Sequence, residues 1–206
     1  MDAGIESVIS SKGFLFFLVG SCALAADRVV INEIHFNPKD KRPLEFVELF
    51  NTGDAPAKLD GWKLDKFVFP AGTIVLAGGY LVVAQDPVAL EKEFAVKSIG
   101  PLVGKLSNEG EKLTLFDAAG KTVESVAFGA GFPWPSASAG LGSSLERISP
   151  LADVSRPGHW RASPFPTRAA RRNKHAGFYR LRIRKSRRPP MTGPRHIRQR
   201  TNAFQR

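Results

Sequence analysis

From residue 28 to residue 128, short apolar runs rich in Val, Ile, Leu and Phe alternate with clusters of Gly, Pro, Asn and Asp. Runs of that length predict β-strands, because branched and aromatic side chains suit a pleated surface and the punctuating residues suit turns. The predicted strands are residues 28–34, 45–50, 57–64, 66–69, 73–76, 80–84, 112–116 and 122–128. Asn37-Pro38, Asn51-Thr52-Gly53-Asp54, Pro70-Ala71-Gly72 and Gly78-Gly79 mark intervening turns. Asp117-Ala118-Ala119-Gly120 joins the last two strands as a hairpin-type connection. One short helix is predicted over residues 87–94, with Asp86 as its cap and Pro87 in its first position. Strands this closely spaced predict an all-β sandwich rather than a βαβ sheet.

The same segments carry an ordered set of motifs. Asn32-Glu33 lies in the first strand, followed by Asn37-Pro38 and by Glu45-Phe46-Val47-Glu48-Leu49-Phe50-Asn51. Next come Leu59-Asp60-Gly61-Trp62-Lys63-Leu64, Phe69-Pro70-Ala71-Gly72-Thr73 and Gly78-Gly79-Tyr80-Leu81-Val82-Val83-Ala84. Leu106-Ser107, Leu113-Thr114-Leu115-Phe116-Asp117 and Gly142-Ser143-Ser144-Leu145-Glu146-Arg147 complete the series. In order and spacing, residues 28–164 resemble the lamin tail domain family, in its bacterial exported form. The resemblance implies an immunoglobulin-like β-sandwich that tethers or targets, meets a protein or cell-surface partner, and has no catalytic residues and no cofactor. Such domains often accompany nuclease, phosphoesterase or kinase-like domains, so a second reading makes this chain the N-terminal module of a larger exported enzyme.

Within the motifs, Asn32, Glu33, Glu48, Asn51, Gly61, Trp62, Gly78, Gly79, Glu146 and Arg147 are the candidate structural residues. Trp62 and Phe46 offer large areas for burial. Gly61, Gly72, Gly78 and Gly79 permit turn dihedrals closed to other residues. Glu146 and Arg147 are expected to pair charges at a strand end.

The first 25 residues have the order of a secretory signal. Lys12 precedes the apolar run at residues 13–19, and small residues follow up to Ala26. That run is far short of the roughly 20 residues of a bilayer span, so no membrane span is expected in the mature chain. Cleavage after Ala25 leaves an exported domain over residues 26–166. Val19-Gly20-Ser21-Cys22 supports a competing reading, a lipoprotein anchored through Cys22. As the chain has a single cysteine, no intramolecular disulfide can form.

Charge divides the chain sharply. Of 30 Lys and Arg, 15 fall within residues 1–160 together with all 19 Asp and Glu, a net of −4; the other 15 follow, with no acid. Residues 167–206 are therefore a separate segment, a basic tail with too little apolar material to fold alone. Arg171, Arg172, Arg182, Arg184, Arg187 and Arg188 are its candidate polyanion-binding residues, since cationic side chains displace counterions from phosphate. Nucleic-acid binding is expected through this tail only. An export signal argues against such a partner, and acid-free Arg/Pro-rich sequence is also what a shifted reading frame yields. The frameshifted or truncated remnant of a longer protein is thus a further reading of the tail.

Catalytic chemistry finds little purchase. His35, His159, His175 and His196 show no zinc-ligand spacing, and Ser143 and Ser144 lack a nucleophile-elbow frame. Glu33, Glu45, Glu48 and Asp60 offer oxygens for a hard cation, yet without the regular ligand spacing of a calcium loop. Solvated faces and cross-strand pairs are the simpler expectation for them. Trp134, between Pro133 and Pro135, is either a binding contact on a rigid loop or an aromatic folded back on the sandwich. Intact-mass measurement of the form recovered from the producing cell is expected to show cleavage before Ala26; retention of Met1 overturns both export readings.

Overall fold

The computed structural model describes residues 29–163, an immunoglobulin-like β-sandwich. Residues 1–25, where a secretory signal is expected, and the basic segment at residues 167–206 lie outside the described residues. Strands in chain order are β1 (Val29–His35), β2 (Phe46–Asn51), β3 (Ala57–Lys58), β4 (Lys63–Leu64), β5 (Phe67–Val68), β6 (Ile74–Val75) and β7 (Tyr80–Ala84). After α1 (Pro87–Phe94) come β8 (Lys112–Phe116), β9 (Thr122–Ala127), β10 (Ser144–Arg147) and β11 (Trp160–Ser163). Antiparallel pairing builds a five-stranded sheet in the order β11-β10-β1-β2-β7, facing a four-stranded sheet β5-β4-β8-β9 and the pair β3-β6. Among the described residues, no helix is long and apolar enough to cross a membrane.

Period-two alternation explains the layering. Ile31, Val47, Leu49, Leu81, Val83 and Leu145 point inward from the large sheet and meet Leu64, Leu113, Leu115 and Val126 from the other. Aromatic rings close the ends of this core. Phe36 lies against Phe128 with centroids 4.9 Å apart, and Phe67 meets Phe69 edge-on at 5.2 Å. Helix α1 follows its sequence signals closely. The Asp86 carboxylate accepts from the amides of Val88 and Ala89 at 3.0 Å, Pro87 starts the helix, and Ala95 ends it in a left-handed conformation. Leu90 of α1 packs with Leu44, Phe46, Val82, Ala84 and Val96 in a second, smaller core on the outer face of the large sheet.

The strand predicted over residues 57–64 is two strands in different sheets. Gly61 takes φ 72°, and the Trp62 amide bonds to the Leu59 carbonyl at 3.1 Å, so the chain turns at Asp60-Gly61. β3 then pairs with β6, whereas β4 pairs with β5 and β8. The Asp60 carboxylate ties this corner to the Gly72 amide. Strands β10 and β11 lie beyond the last strand predicted. Each offers the core a large inward side chain, Leu145 and Trp160 respectively, so neither shows a sustained alternation.

The two sheets are joined by a buried polar bridge as well as by apolar packing. β1 shifts register against β2 between Ile31 and Glu33, and β10 pairs with β1 only at Glu33 and Ile34. The Ile31 peptide is served instead by side chains. Its amide donates to Glu124 Oε2 of β9 at 2.6 Å, and its carbonyl accepts from Arg147 Nη1 of β10 at 3.3 Å. Arg147 and Glu124 also pair directly at 2.8 Å, with their side chains 4% and 12% exposed. Burial pushes the Glu124 carboxyl above its ordinary range, while the Ile31 amide and Arg147 pull it back. The variant Glu124→Gln strands a buried guanidinium, and an equilibrium denaturation comparison is expected to show a loss of about 3–5 kcal/mol.

Candidate functional site

The outer face of the five-stranded sheet carries one level row that crosses all five strands. Cross-strand partners share a face, and the register sets Arg161 opposite Glu146, Glu146 opposite Glu33, Glu33 opposite Glu48, and Glu48 opposite Val82. Glu48 lies between the inward-facing Val47 and Leu49, so the row points away from the main core. Its three carboxylates are nevertheless buried, Glu33 at 0%, Glu48 at 1% and Glu146 at 5% exposure. Asn32 Nδ2 donates to Glu48 Oε1 at 2.8 Å, the Ser144 hydroxyl donates to Glu33, and Arg161 grips both oxygens of Glu146 at 3.0 and 3.2 Å.

The structure brings Asn32, Glu33, Glu48 and Glu146 together and sends the remaining candidates elsewhere. Adjacent residues on a strand face opposite ways. Glu146 therefore joins the outer row with Arg161, and Arg147 joins the inter-sheet bridge with Glu124, so the two do not pair with each other. Asn51 is a clamp between loops, its Nδ2 donating to the carbonyls of Ala55 at 2.8 Å and Val75 at 3.0 Å while its Oδ1 accepts from the Gly53 amide at 2.8 Å. Gly78 takes φ 62° in the turn held by the Asn51 backbone, and a Cβ on Gly79 would come within 2.9 Å of the Leu76 carbonyl oxygen. Trp62 is buried in the main core. The tail arginines Arg171, Arg172, Arg182, Arg184, Arg187 and Arg188 lie outside the described residues.

Of the four acids considered for a hard cation, Glu45 and Asp60 are separately engaged with backbone. Glu45 Oε2 accepts from the Leu106 amide at 2.7 Å, and burial raises its pKa. Asp60 is exposed and holds Gly72, whereas Glu33, Glu45 and Glu48 are buried rather than solvated. Among the described residues, no group of three His, Cys, Asp or Glu side chains could hold a metal. The His159 ring nitrogen Nδ1 donates to the Asp153 carbonyl at 2.9 Å, which fastens a loop; His175 and His196 lie outside the described residues.

A second feature is the uncharged loop of residues 129–142. Trp134 folds back on the sandwich, its ring 6.1 Å from that of Trp160, and a Cβ on Gly129 would press to 3.1 Å from the indole. Its neighbour two residues earlier does the reverse. Phe132 is 99% exposed and Leu141 72%. The sequence reading singled out Trp134 and passed over Phe132, although Phe132 stands between Gly131 and Pro133 with the same local signals. What separates the two aromatics is Trp160, far along the chain.

His35 sits in the small outer core, tilted against Phe46 at 5.4 Å and edge-on to Phe94 at 6.5 Å. Its Nδ1 donates to the Leu44 carbonyl at 2.9 Å, and its Nε2 is buried without a hydrogen-bond partner. Burial lowers the imidazole pKa from 6.5 to about 4, against the smaller upward pull of the Leu44 bond. The folded state therefore favours neutral His35, so its contribution is complete above pH 6.5 and is lost as pH falls from 6.5 towards 4. At about 1.4 kcal/mol per unit, the loss approaches 3 kcal/mol. Denaturation curves at pH 7 and pH 4 are expected to differ less for His35→Gln than for the native chain, by that order.

Compared with known families, residues 23–130 match the Lamin Tail Domain, just over half of the 206-residue chain. No curated protein and no solved structure matches.

Proposed function

The chain belongs to the Lamin Tail Domain family, and from that premise we propose that it is an exported, non-catalytic interaction module that attaches to a protein or cell-surface partner. The observation that carries this reading is the near-complete exposure of Phe132 on an uncharged loop braced by Trp134 and Trp160. A rigid exposed aromatic is a strong anchor, because it buries a large area on contact while losing little conformational freedom. Leu141 extends the apolar character of the same loop. Polar side chains that fasten the backbone support the reading from the other side. Asn51, Asp60, Glu45 and Glu124 hold backbone amides or carbonyls and thereby shape the sandwich.

The test is attachment of the purified full chain to envelopes of the producing cell, measured by sedimentation. Phe132→Ser is expected to melt within a degree or two of the native chain, since the side chain rests in solvent. Retention on envelopes is expected to fall at least tenfold. Equal retention of the two chains removes Phe132, and this reading with it.

A further inference from the structure

The loop of residues 129–142 is uncharged, and its neighbours at the same end of the sandwich are cationic. It leads from β9 into β10, whose start lies beside the end of β1 because those two strands are antiparallel. The segment that leaves β1 therefore shares this end, and the loop packs on it. A Cβ on Gly140 would come within 3.3 Å of the Asn37 side chain, and one on Gly142 within 3.6 Å of the Lys39 Cβ. The exposed Leu141 stands between these two glycines. Lys39 and Lys41 are exposed, and neither forms an ion pair with another described residue, whereas Arg42 is held by Glu93. Asp40 is the one acid of residues 37–43.

The loop is fastened from within. The Trp134 amide donates to the Gly131 carbonyl at 2.9 Å, which sets Phe132 at the corner of a turn. The Ser138 hydroxyl donates to the Pro135 carbonyl at 2.6 Å, and the Ala139 amide to the Ser136 carbonyl at 3.0 Å. Composition then favours one kind of partner. A protein partner encloses an aromatic anchor within a rim of polar contacts. Apart from the Trp134 indole, the polar side chains of residues 129–142 are Ser136 and Ser138, and Ser138 is buried. The loop therefore has little with which to build such a rim. Apolar side chains that enter an acyl layer, flanked by cations at headgroup level, need none. We propose, building on the attachment reading above, that Phe132 and Leu141 enter the outer part of an anionic lipid bilayer while Lys39 and Lys41 meet its headgroups.

The probe is a vesicle of about 30% phosphatidylglycerol in phosphatidylcholine, with bromine on the acyl chains. The basic segment at residues 167–206 is itself attracted to such a surface, so the readout is depth rather than binding. The full chain carrying Phe132→Trp is expected to fold as the native chain does, since the ring stands in solvent. Its added fluorescence is expected to fall by about half or more on these vesicles, compared with unbrominated ones. Adding Lys39→Gln and Lys41→Gln is expected to remove about half or more of that quenching at equal amounts of bound chain. Unchanged quenching in that variant overturns the proposal. Bound chain whose residue-132 fluorescence is not quenched overturns it too, because the basic segment alone then holds the vesicle. Envelope retention that depends on Phe132, together with unquenched vesicles, keeps the attachment reading and replaces lipid by a protein partner. Quenching as expected, together with envelope retention that ignores Phe132, supports the lipid contact and removes the attachment reading.

Discussion

Where β1 bulges, the peptide of Ile31 sits between two sheets, and the Glu124–Arg147 pair takes over both of its hydrogen-bonding groups. A buried amide or carbonyl without a partner is costly, and so is a buried charge. The Ile31 amide and carbonyl are satisfied by Glu124 and Arg147, which also pair with each other. An ion pair this deep contributes little net stability beside an apolar substitute of the same shape. What it supplies is alignment. Glu124 reaches Ile31 only with β9 correctly placed over β1, and Arg147 reaches Glu124 only with β10 in its observed register. The Arg147 guanidinium also holds the Ala152 carbonyl, so the loop between β10 and β11 is tied to the same point. The five-stranded sheet, the four-stranded sheet and the last loop thus share one fixed reference.

Local chemistry was the legible part of this fold. Asp86, Pro87 and the short amphipathic run after them specify α1 without outside help. The central strands β1, β2 and β7 announce themselves through dense branched side chains, because they are packed on both faces. Gly61 could be read as a turn residue, yet the break it makes between β3 and β4 was hidden, since Ala57, Leu59 and Leu64 keep an apolar character across it. Glu146 and Arg147 show the limit clearly. Neighbours on a strand point to opposite faces, and each finds its partner on another strand, Arg161 and Glu124.

Register was the illegible part. Glu33, Glu48 and Glu146 stand in one row because β1 pairs with strands that lie before and far after it in the chain, and no spacing along the sequence encodes that meeting. The same holds for the loop of residues 129–142. Its two aromatics have near-identical local settings, and the difference between a packed Trp134 and an exposed Phe132 comes from the docking of Trp160. Whole-chain charge was actively misleading. The folded part is mildly acidic, so the high overall pI describes the C-terminal segment rather than the sandwich.

The edges of the large sheet are unequal. Along β7 the backbone is already occupied, with the Ala84 amide bonded to the Ile99 carbonyl, the Ile99 amide to the Val82 carbonyl, and the Leu102 amide to the Ala84 carbonyl. That segment acts as a hem, closing the side of the sheet on which β2 and β7 lie. β11 ends the other side, and Pro164 and Pro166 come directly after it. The β7 margin of the sheet is therefore stitched by backbone. Closed in this way, the β7 margin has its backbone groups committed and is a poor template for edge-to-edge pairing with another sheet.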